Sequence, residues 1–140
     1  METVKEYMTT AVECCTPLDN VYEAAVKMKE LDVGVIPIVD NQKLVGIVTD
    51  RDLVIKGIAE KHPGSTKITD VMTTEIATIL PSDSIDKAIE LMSKHQVRRL
   101  PVVENEQLIG IVSLGDFSVS EKSDDLAGEA LTQISQSPQH

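Results

Sequence analysis

The chain has 140 residues, of which 41% are hydrophobic and 26% are charged, and its formal net charge is -10. This composition is typical of one globular domain or two very small ones, and the acidity argues against binding to nucleic acid or to anionic membranes. No apolar run is long enough to span a bilayer and the N-terminus lacks the layout of a signal peptide, so we expect a cytoplasmic protein.

In chain order, the first half of the sequence predicts a strand, a helix, a hairpin and a second helix. Residues 12–15 resemble a short strand, and Asp19-Asn20 is a typical cap at the start of a helix. Apolar residues then recur at helical spacing, and two runs rich in valine and isoleucine, at residues 35–39 and 44–48, flank a polar turn. Asp52 opens the second helix.

The second half of the chain repeats the first. Residues 4–54 match residues 68–118 without a gap, so that Asp52 falls on Asp116, and the same order of elements is predicted again. The predicted organisation is a first repeat over residues 1–60, a linker over 61–67, a second repeat over 68–122 and a C-terminal tail over 123–140. That tail is either an amphipathic helix or a solvated segment with one packed turn.

The two cysteines, Cys14 and Cys15, are neighbours in the sequence, and no second cluster of cysteine or histidine accompanies them. Adjacent cysteines rarely bond to each other because the geometry is strained, and a zinc site needs further ligands. We therefore predict neither a disulfide nor a metal site. One thiol should pack in a core and the other should face outward.

A hydroxyl and a carboxylate recur at the end of each returning strand. Thr49 is followed by Asp52, and Ser113 is followed by Asp116, each pair at the start of a helix. The hydroxyl can donate to a ribose or phosphate oxygen, and the carboxylate can accept both hydroxyls of a ribose diol. The alternative is that these residues only cap the helices, which the same residue types do commonly. The spacing by itself leaves both interpretations open.

The three arginines of the chain all lie beside these elements. Arg51 is part of the first turn, and Arg98 and Arg99 precede the buried strand of the second repeat. They either pair with surface acids or face a ligand phosphate. No phosphate-binding loop, zinc-protease motif or nucleophile elbow is present, so we predict that the chain is not an enzyme.

Each half of the chain has the same order of features: Met-Thr, a strand, a proline, a helix, Val-x-x-x-Pro-[IV]-Val and Gly-Ile-Val-[TS]-x-x-Asp. This order resembles the CBS domain, and two such domains in tandem resemble a Bateman module of the stand-alone prokaryotic type. The resemblance covers about residues 4–120. It implies an α/β (α+β) fold in which two strand–helix–strand–strand–helix repeats pack as a pseudo-two-fold pair. It also implies a homodimer and clefts that bind AMP, ADP, ATP or S-adenosylmethionine as a regulatory ligand, with no cofactor required.

The resemblance also assigns residues to two clefts, each drawing on both repeats. One cleft would combine Ile47, Thr49, Arg51 and Asp52 with Thr74, Ile76, Val97 and Arg99. The other would combine Ile111, Ser113 and Asp116 with Thr10, Val12, Val33 and Gly34, with Arg98 near the phosphates. The arginines are shared unequally, because Gly34 and Gly115 stand where the other repeat has arginine. We therefore expect the Asp52 cleft to bind phosphorylated ligand more tightly.

The sequence is compatible with two functions. The first is a regulatory sensor that binds an adenosine-containing ligand and signals to a protein partner that the sequence does not identify. The second is a structural or interaction module whose clefts bind no nucleotide. Homodimerisation is expected in either case, because a unit this small leaves helix faces to cover.

Overall fold

A computed structural model describes residues 2–119, apart from the side chains of residues 118 and 119. They form two compact units, each built around one β-hairpin. The first-hairpin unit is Glu13–Ile76, and the second-hairpin unit combines residues 2–12 with residues 77–119. The predicted C-terminal tail lies outside the described residues.

The first-hairpin unit contains the helices and strands that the first half of the sequence predicts. They are α1 (Val21–Leu31), β1 (Val35–Asp40), β2 (Lys43–Thr49) and α2 (Asp50–Asp52), which continues as a π-helical turn (Leu53–Gly57) and a 3-10 turn (Ile58–Glu60), with a further 3-10 turn at Ile68–Asp70. A capping box starts α1: the Asn20 side chain accepts a hydrogen bond from the Glu23 amide, and the Glu23 carboxylate accepts one from the Asn20 amide. The predicted cap at Asp19-Asn20 is confirmed.

The second-hairpin unit repeats this order with small differences. Its elements are a 3-10 turn (Val4–Glu6), α3 (Ile85–His95), β3 (Arg99–Glu104), β4 (Gln107–Ser113) and a 3-10 helix (Leu114–Val119). The Ser84 hydroxyl accepts a hydrogen bond from the Lys87 amide and so caps α3. None of the helices in the described part of the chain is long and apolar enough to cross a membrane.

Both hairpins close through two-residue turns with positive φ at both positions. Asn41 and Gln42 have φ of 51° and 72°, and Asn105 and Glu106 have φ of 54° and 67°. This left-handed pair is the turn whose twist matches that of the flanking strands, and asparagine tolerates it well at the first position. The predicted polar turns are therefore confirmed.

The short strands predicted at residues 12–15 and 76–79 are each reduced to one bridging residue. Cys15 pairs with β1 in parallel, donating to the Pro37 carbonyl at 2.9 Å and accepting from Val39 at 2.8 Å. Ile79 pairs with β3 in the same way. Both predicted strands span a point where the chain passes from one compact unit to the other, between residues 12 and 13 and between residues 76 and 77.

The repeats exchange their leading segments, residues 4–12 and 68–76. Val4 is fully buried in the core of the second-hairpin unit with Leu100 and Phe117, whereas its counterpart Ile68 is buried in the core of the first-hairpin unit. The backbone of Thr9 pairs with Ile111 in β4. Each compact unit thus joins the helix and hairpin of one repeat to the leading segment of the other.

The cysteines lie in the first-hairpin unit and form no disulfide. Cys15 is fully buried in the core, as predicted for one of the two thiols, and Cys14 is half-buried. Burial raises the pKa of Cys15 to about 11 and also raises the pKa of Cys14. Because the thiolate is the reactive form, both thiols are poor nucleophiles at neutral pH.

Candidate functional site

The Asp52 turn, residues 49–52, is the point where β2 leads into α2. The Asp52 amide donates to the Thr49 hydroxyl at 3.0 Å, and the Thr49 amide donates to Asp52 Oδ2 at 3.0 Å. These reciprocal bonds form a capping box, which satisfies two amides at the start of the helical segment. The capping interpretation of this hydroxyl and carboxylate is therefore confirmed.

The Asp52 carboxylate has two further partners. The Thr73 hydroxyl lies 3.2 Å from both carboxylate oxygens, and Lys56 Nζ lies 3.2 Å from Oδ1. Lys56 Nζ also donates to the Thr73 hydroxyl oxygen at 3.2 Å, so the three side chains form a closed ring of contacts. Asp52 is only 8% exposed, and this ring compensates the burial of its charge.

The leading segment that contributes Thr73 is held against β2. Ile47 and Thr73 exchange two backbone hydrogen bonds of 2.9 and 2.7 Å. Gly46 permits this approach, because a Cβ there would lie 2.7 Å from Met72 Sδ and 3.1 Å from the Thr73 carbonyl oxygen. The repeated Met-Thr motif and the strand glycine are thus complementary parts of one contact.

The Asp116 turn, residues 113–116, has the same position in the second-hairpin unit. The Ser113 amide donates to Asp116 Oδ2 at 2.8 Å. Thr9 and Ile111 exchange backbone hydrogen bonds of 2.8 and 2.9 Å, so the leading segment lies beside β4. Asp116 is half-buried, and its described hydrogen bond again caps a helical segment.

The sixteen sequence-predicted site residues divide equally between the two compact units. The first-hairpin unit holds Val33, Gly34, Ile47, Thr49, Arg51, Asp52, Thr74 and Ile76, and the second-hairpin unit holds Thr10, Val12, Val97, Arg98, Arg99, Ile111, Ser113 and Asp116. The structure therefore brings each strand-end turn together with the leading segment predicted for it. It places Val97 and Arg99 in the unit of Asp116, and Val33 and Gly34 in the unit of Asp52.

The backbone before each buried strand is tied to the turn of its own unit. The Leu114 amide donates to the Arg98 carbonyl at 2.8 Å, and the Asp50 amide donates to the Gly34 carbonyl at 3.0 Å. Arg99 lies directly opposite Ser113 in the hairpin register. Side chains at directly opposed positions of antiparallel strands share a face, so Arg99 and Ser113 are neighbours.

The three arginines are exposed, and the ion pairs of the described residues do not involve them. Those pairs are made by Lys27, Lys56, His62 and Lys87. Arg51, Arg98 and Arg99 all face solvent in the described part of the chain. The interpretation that the arginines pair with surface acids is thus not observed there.

Two polar partners of the Asp52 carboxylate, Lys56 and Thr73, were not predicted from the sequence. Lys56 follows Asp52 by four residues, a spacing that favours an ion pair on a helix. The sequence spacing alone could therefore have predicted this contact. Thr73 belongs to the repeated Met-Thr motif, but its contact with Asp52 depends on the exchange of leading segments. No group of three potential metal ligands occurs among residues 2–119 as the structure describes them.

Comparison with known proteins connects this arrangement to a family. A model of the CBS domain matches residues 4–57 and 68–119. YlbB of Bacillus subtilis is 54% identical over 138 residues, which cover 97% of this chain and 93% of that protein. The solved structure of hypoxic response protein I, with two coordinated zinc ions, has a TM-score of 0.78 at 35% identity, over 85% of this chain and 98% of the other.

A second solved structure contains adenosine compounds. The CBS domain pair of protein MJ0100, in complex with 5'-methylthioadenosine and S-adenosyl-L-methionine, has a TM-score of 0.73 at 28% identity, over 84% of this chain and 98% of the other. The duplicated hairpins and strand-end turns lie within the two segments that the family model matches. The chain belongs to the CBS domain family and consists of a pair of CBS domains.

Proposed function

We propose that this chain is a regulatory module that binds an adenosine-containing ligand, in the class of AMP, ADP, ATP or S-adenosylmethionine, and signals to a protein partner. The observation that carries the proposal is the presence, in both compact units, of a strand-end hydroxyl and carboxylate beside the leading segment of the other repeat. The similarity to a CBS domain pair solved with two adenosine compounds supports the same class of ligand.

The chemistry of a ribose suits these turns. Its two adjacent hydroxyls are donors, and a carboxylate can accept both in charge-assisted hydrogen bonds, which are the stronger kind. Ser113 and Thr49 supply hydroxyl groups at the same turns, and Ile47 and Ile111 supply apolar surface on the adjoining strands. The proposal assigns no reaction to the chain, because these groups recognise a ligand without supplying an activated nucleophile.

The same contacts provide a route for signalling. The Asp52 carboxylate binds the hydroxyl of Thr73, which belongs to the leading segment of the other repeat. A ligand that changes the hydrogen bonds of such a turn also changes how firmly the leading segment is held. Binding would therefore shift the population of arrangements of the leading segments, which a partner can recognise.

Adenosine ligands are expected to stabilise the protein. A ligand present at 100 times its dissociation constant adds about 2.7 kcal/mol to the free energy of unfolding, which raises Tm by about 5–10 °C for a chain of this length. Thermal denaturation with AMP, ADP, ATP, S-adenosylmethionine and, as a control, GMP measures this shift. A Tm that no adenosine compound changes at millimolar concentration would favour the alternative function, an interaction module that binds no nucleotide.

We also propose that two copies of the chain associate through the helical segment that follows the Asp52 turn. Val54, Ile55 and Ile58 are 52%, 47% and 73% exposed there. Three large apolar side chains on one short segment form the kind of surface that a second copy covers in a two-fold dimer.

The dimer proposal predicts that a charge in this surface disrupts association. Ile58→Glu is expected to convert a dimer into a monomer, because a buried carboxylate without a partner is costly. Light scattering at micromolar concentration measures the mass, and Leu18→Glu is a control because Leu18 is 90% exposed outside the segment. A monomeric wild type, or a dimer that Ile58→Glu leaves intact, would contradict the proposal.

A further inference from the structure

We propose that the two leading segments are held unequally, so that residues 4–12 form a strap that opens locally while residues 68–76 stay in place. The opening occurs in the protein without a ligand and so goes beyond the proposed function; only its use as a signal rests on that function. The proposal depends on two differences between the compact units. One is the set of side-chain bonds that hold each segment, and the other is the exposure of the segment itself.

The backbone holds the two segments in a similar way, so it does not create the difference. Thr9 exchanges hydrogen bonds of 2.8 and 2.9 Å with Ile111 in β4, and Thr73 exchanges bonds of 2.7 and 2.9 Å with Ile47 in β2. Further upstream, each segment also bonds to the loop that precedes the helix of its own unit. Any difference in attachment must therefore come from the side chains.

A ring of side chains adds to the backbone bonds in the first-hairpin unit. The Thr73 hydroxyl lies 3.2 Å from both oxygens of Asp52, and Lys56 Nζ contacts both residues. Asp52 is buried, so detaching Thr73 would deprive a buried carboxylate of a hydrogen-bond donor. Hydrogen bonds to a charged group are among the stronger ones, and a buried acceptor left without its donor is costly. The ring therefore opposes the opening of residues 68–76.

The strap has no such ring among the described residues. Thr9, the counterpart of Thr73, is exposed, and the hydrogen bond described for the Asp116 carboxylate comes from the Ser113 amide. The sequence of the second repeat also has Ser120 at the position of Lys56. Detaching the strap thus leaves the described hydrogen bond of Asp116 intact.

The exposure of the two segments differs in the same direction. Five of the nine residues 4–12 are exposed, compared with three of the nine residues 68–76. Ile68 and Val71 are both fully buried, whereas Val4 is fully buried and Tyr7, at the position of Val71, is half-buried. Segments that have few buried side chains and stronger contact with water are the ones that open locally in native proteins. The strap fits that description better than residues 68–76.

Opening of the strap would change the surface of the second-hairpin unit. Val4 belongs to the core of this unit, and the Tyr7 ring contacts Phe117 edge-to-face at a centroid distance of 5.8 Å. Detachment would expose both apolar side chains and the part of the core that they cover. A protein partner that binds only one of the two forms would read the position of the strap. The strap is therefore the moving element that we assign to this module.

Amide hydrogen exchange, followed by NMR on the full chain without a ligand, tests the proposal. The amides of Ile111 and Ile47 each donate to a carbonyl of a leading segment, so their exchange reports when that segment detaches. After correction for intrinsic rates, we expect the Ile111 and Thr9 amides to exchange at least about tenfold faster than those of Ile47 and Thr73. Equal rates, or faster exchange in the first-hairpin unit, would overturn the proposal.

Matched variants test whether the ring causes the difference. Thr73→Val keeps a β-branched side chain but removes the hydroxyl, and it should accelerate exchange at Ile47 about tenfold while changing Ile111 less than about twofold. Thr73→Ser keeps the hydroxyl and should remain within about threefold of the wild type at Ile47. Thr9→Val is the control, because Thr9 is exposed, and it should change neither amide by more than about twofold. Unchanged exchange at Ile47 in Thr73→Val would overturn the role of the ring.

The exchange experiment and the thermal shift with adenosine compounds fail separately. Unequal exchange without a ligand-induced rise in Tm would refute ligand binding and support the strap. A rise in Tm with equal exchange would refute the strap and support the proposed function.

Discussion

Phe117→Ala is expected to lower the free energy of unfolding by about 3–5 kcal/mol. The side chain is fully buried in the core of the second-hairpin unit, and its ring makes an edge-to-face contact with Tyr7 at a centroid distance of 5.8 Å. Removing the ring leaves a cavity in this core and removes the contact with the Tyr7 ring. Since small domains are stable by only about 5–15 kcal/mol, this is a large fraction of the total.

Urea unfolding followed by circular dichroism measures the loss. Leu18→Ala is a control, because Leu18 is 90% exposed and its truncation should change the stability by less than about 0.5 kcal/mol. A double-mutant cycle with Tyr7→Ala should give a coupling energy of about 0.5–1.5 kcal/mol for the aromatic pair. A Phe117→Ala variant that loses less than 1 kcal/mol would contradict the described core.

The helices and hairpins could be predicted from the sequence because their signals are local. The Asn20 cap, the apolar spacing of α1 and the turn at Asn41-Gln42 each depend on a few neighbouring residues, and all three are found. Duplication strengthened each signal by presenting it twice. Local patterns of this kind survive in the folded chain when packing does not oppose them.

The exchange of leading segments could not be predicted from local patterns, and only the family resemblance grouped Thr74 and Ile76 with the Asp52 turn. Residues 4–12 and 68–76 carry the same pattern, and each could pair with either hairpin as far as side-chain type is concerned. The choice depends on packing between distant parts of the chain. For the same reason, the spacing of Thr49 and Asp52 predicted the capping pair, but the contact of Asp52 with Thr73 could not be found.

Gly110→Ala tests the close contact between a leading segment and its strand. A Cβ at Gly110 would lie 2.9 Å from the Thr9 carbonyl oxygen and 2.9 Å from Met8 Sδ, distances that real Cβ atoms essentially never show. The Thr9 carbonyl accepts a hydrogen bond from the Ile111 amide, so the backbone cannot move away without weakening that bond. We expect a loss of about 1–3 kcal/mol, which lowers Tm by about 2–10 °C.

The same glycine-to-alanine change is expected to cost different amounts of stability at the other glycines, because their surroundings differ. Gly46→Ala should lose less than Gly110→Ala, because its shortest contact, 2.7 Å, is with the Met72 thioether, and the Thr73 carbonyl oxygen lies 3.1 Å away. A thioether can rotate aside, whereas a paired carbonyl cannot. Gly115→Ala is the control, since a Cβ there meets nothing within 4 Å, and alanine should be neutral or stabilise by up to about 1 kcal/mol. Calorimetric melting of the three variants measures the order, and a Gly110→Ala protein as stable as Gly115→Ala would show that the leading segment does not lie against β4.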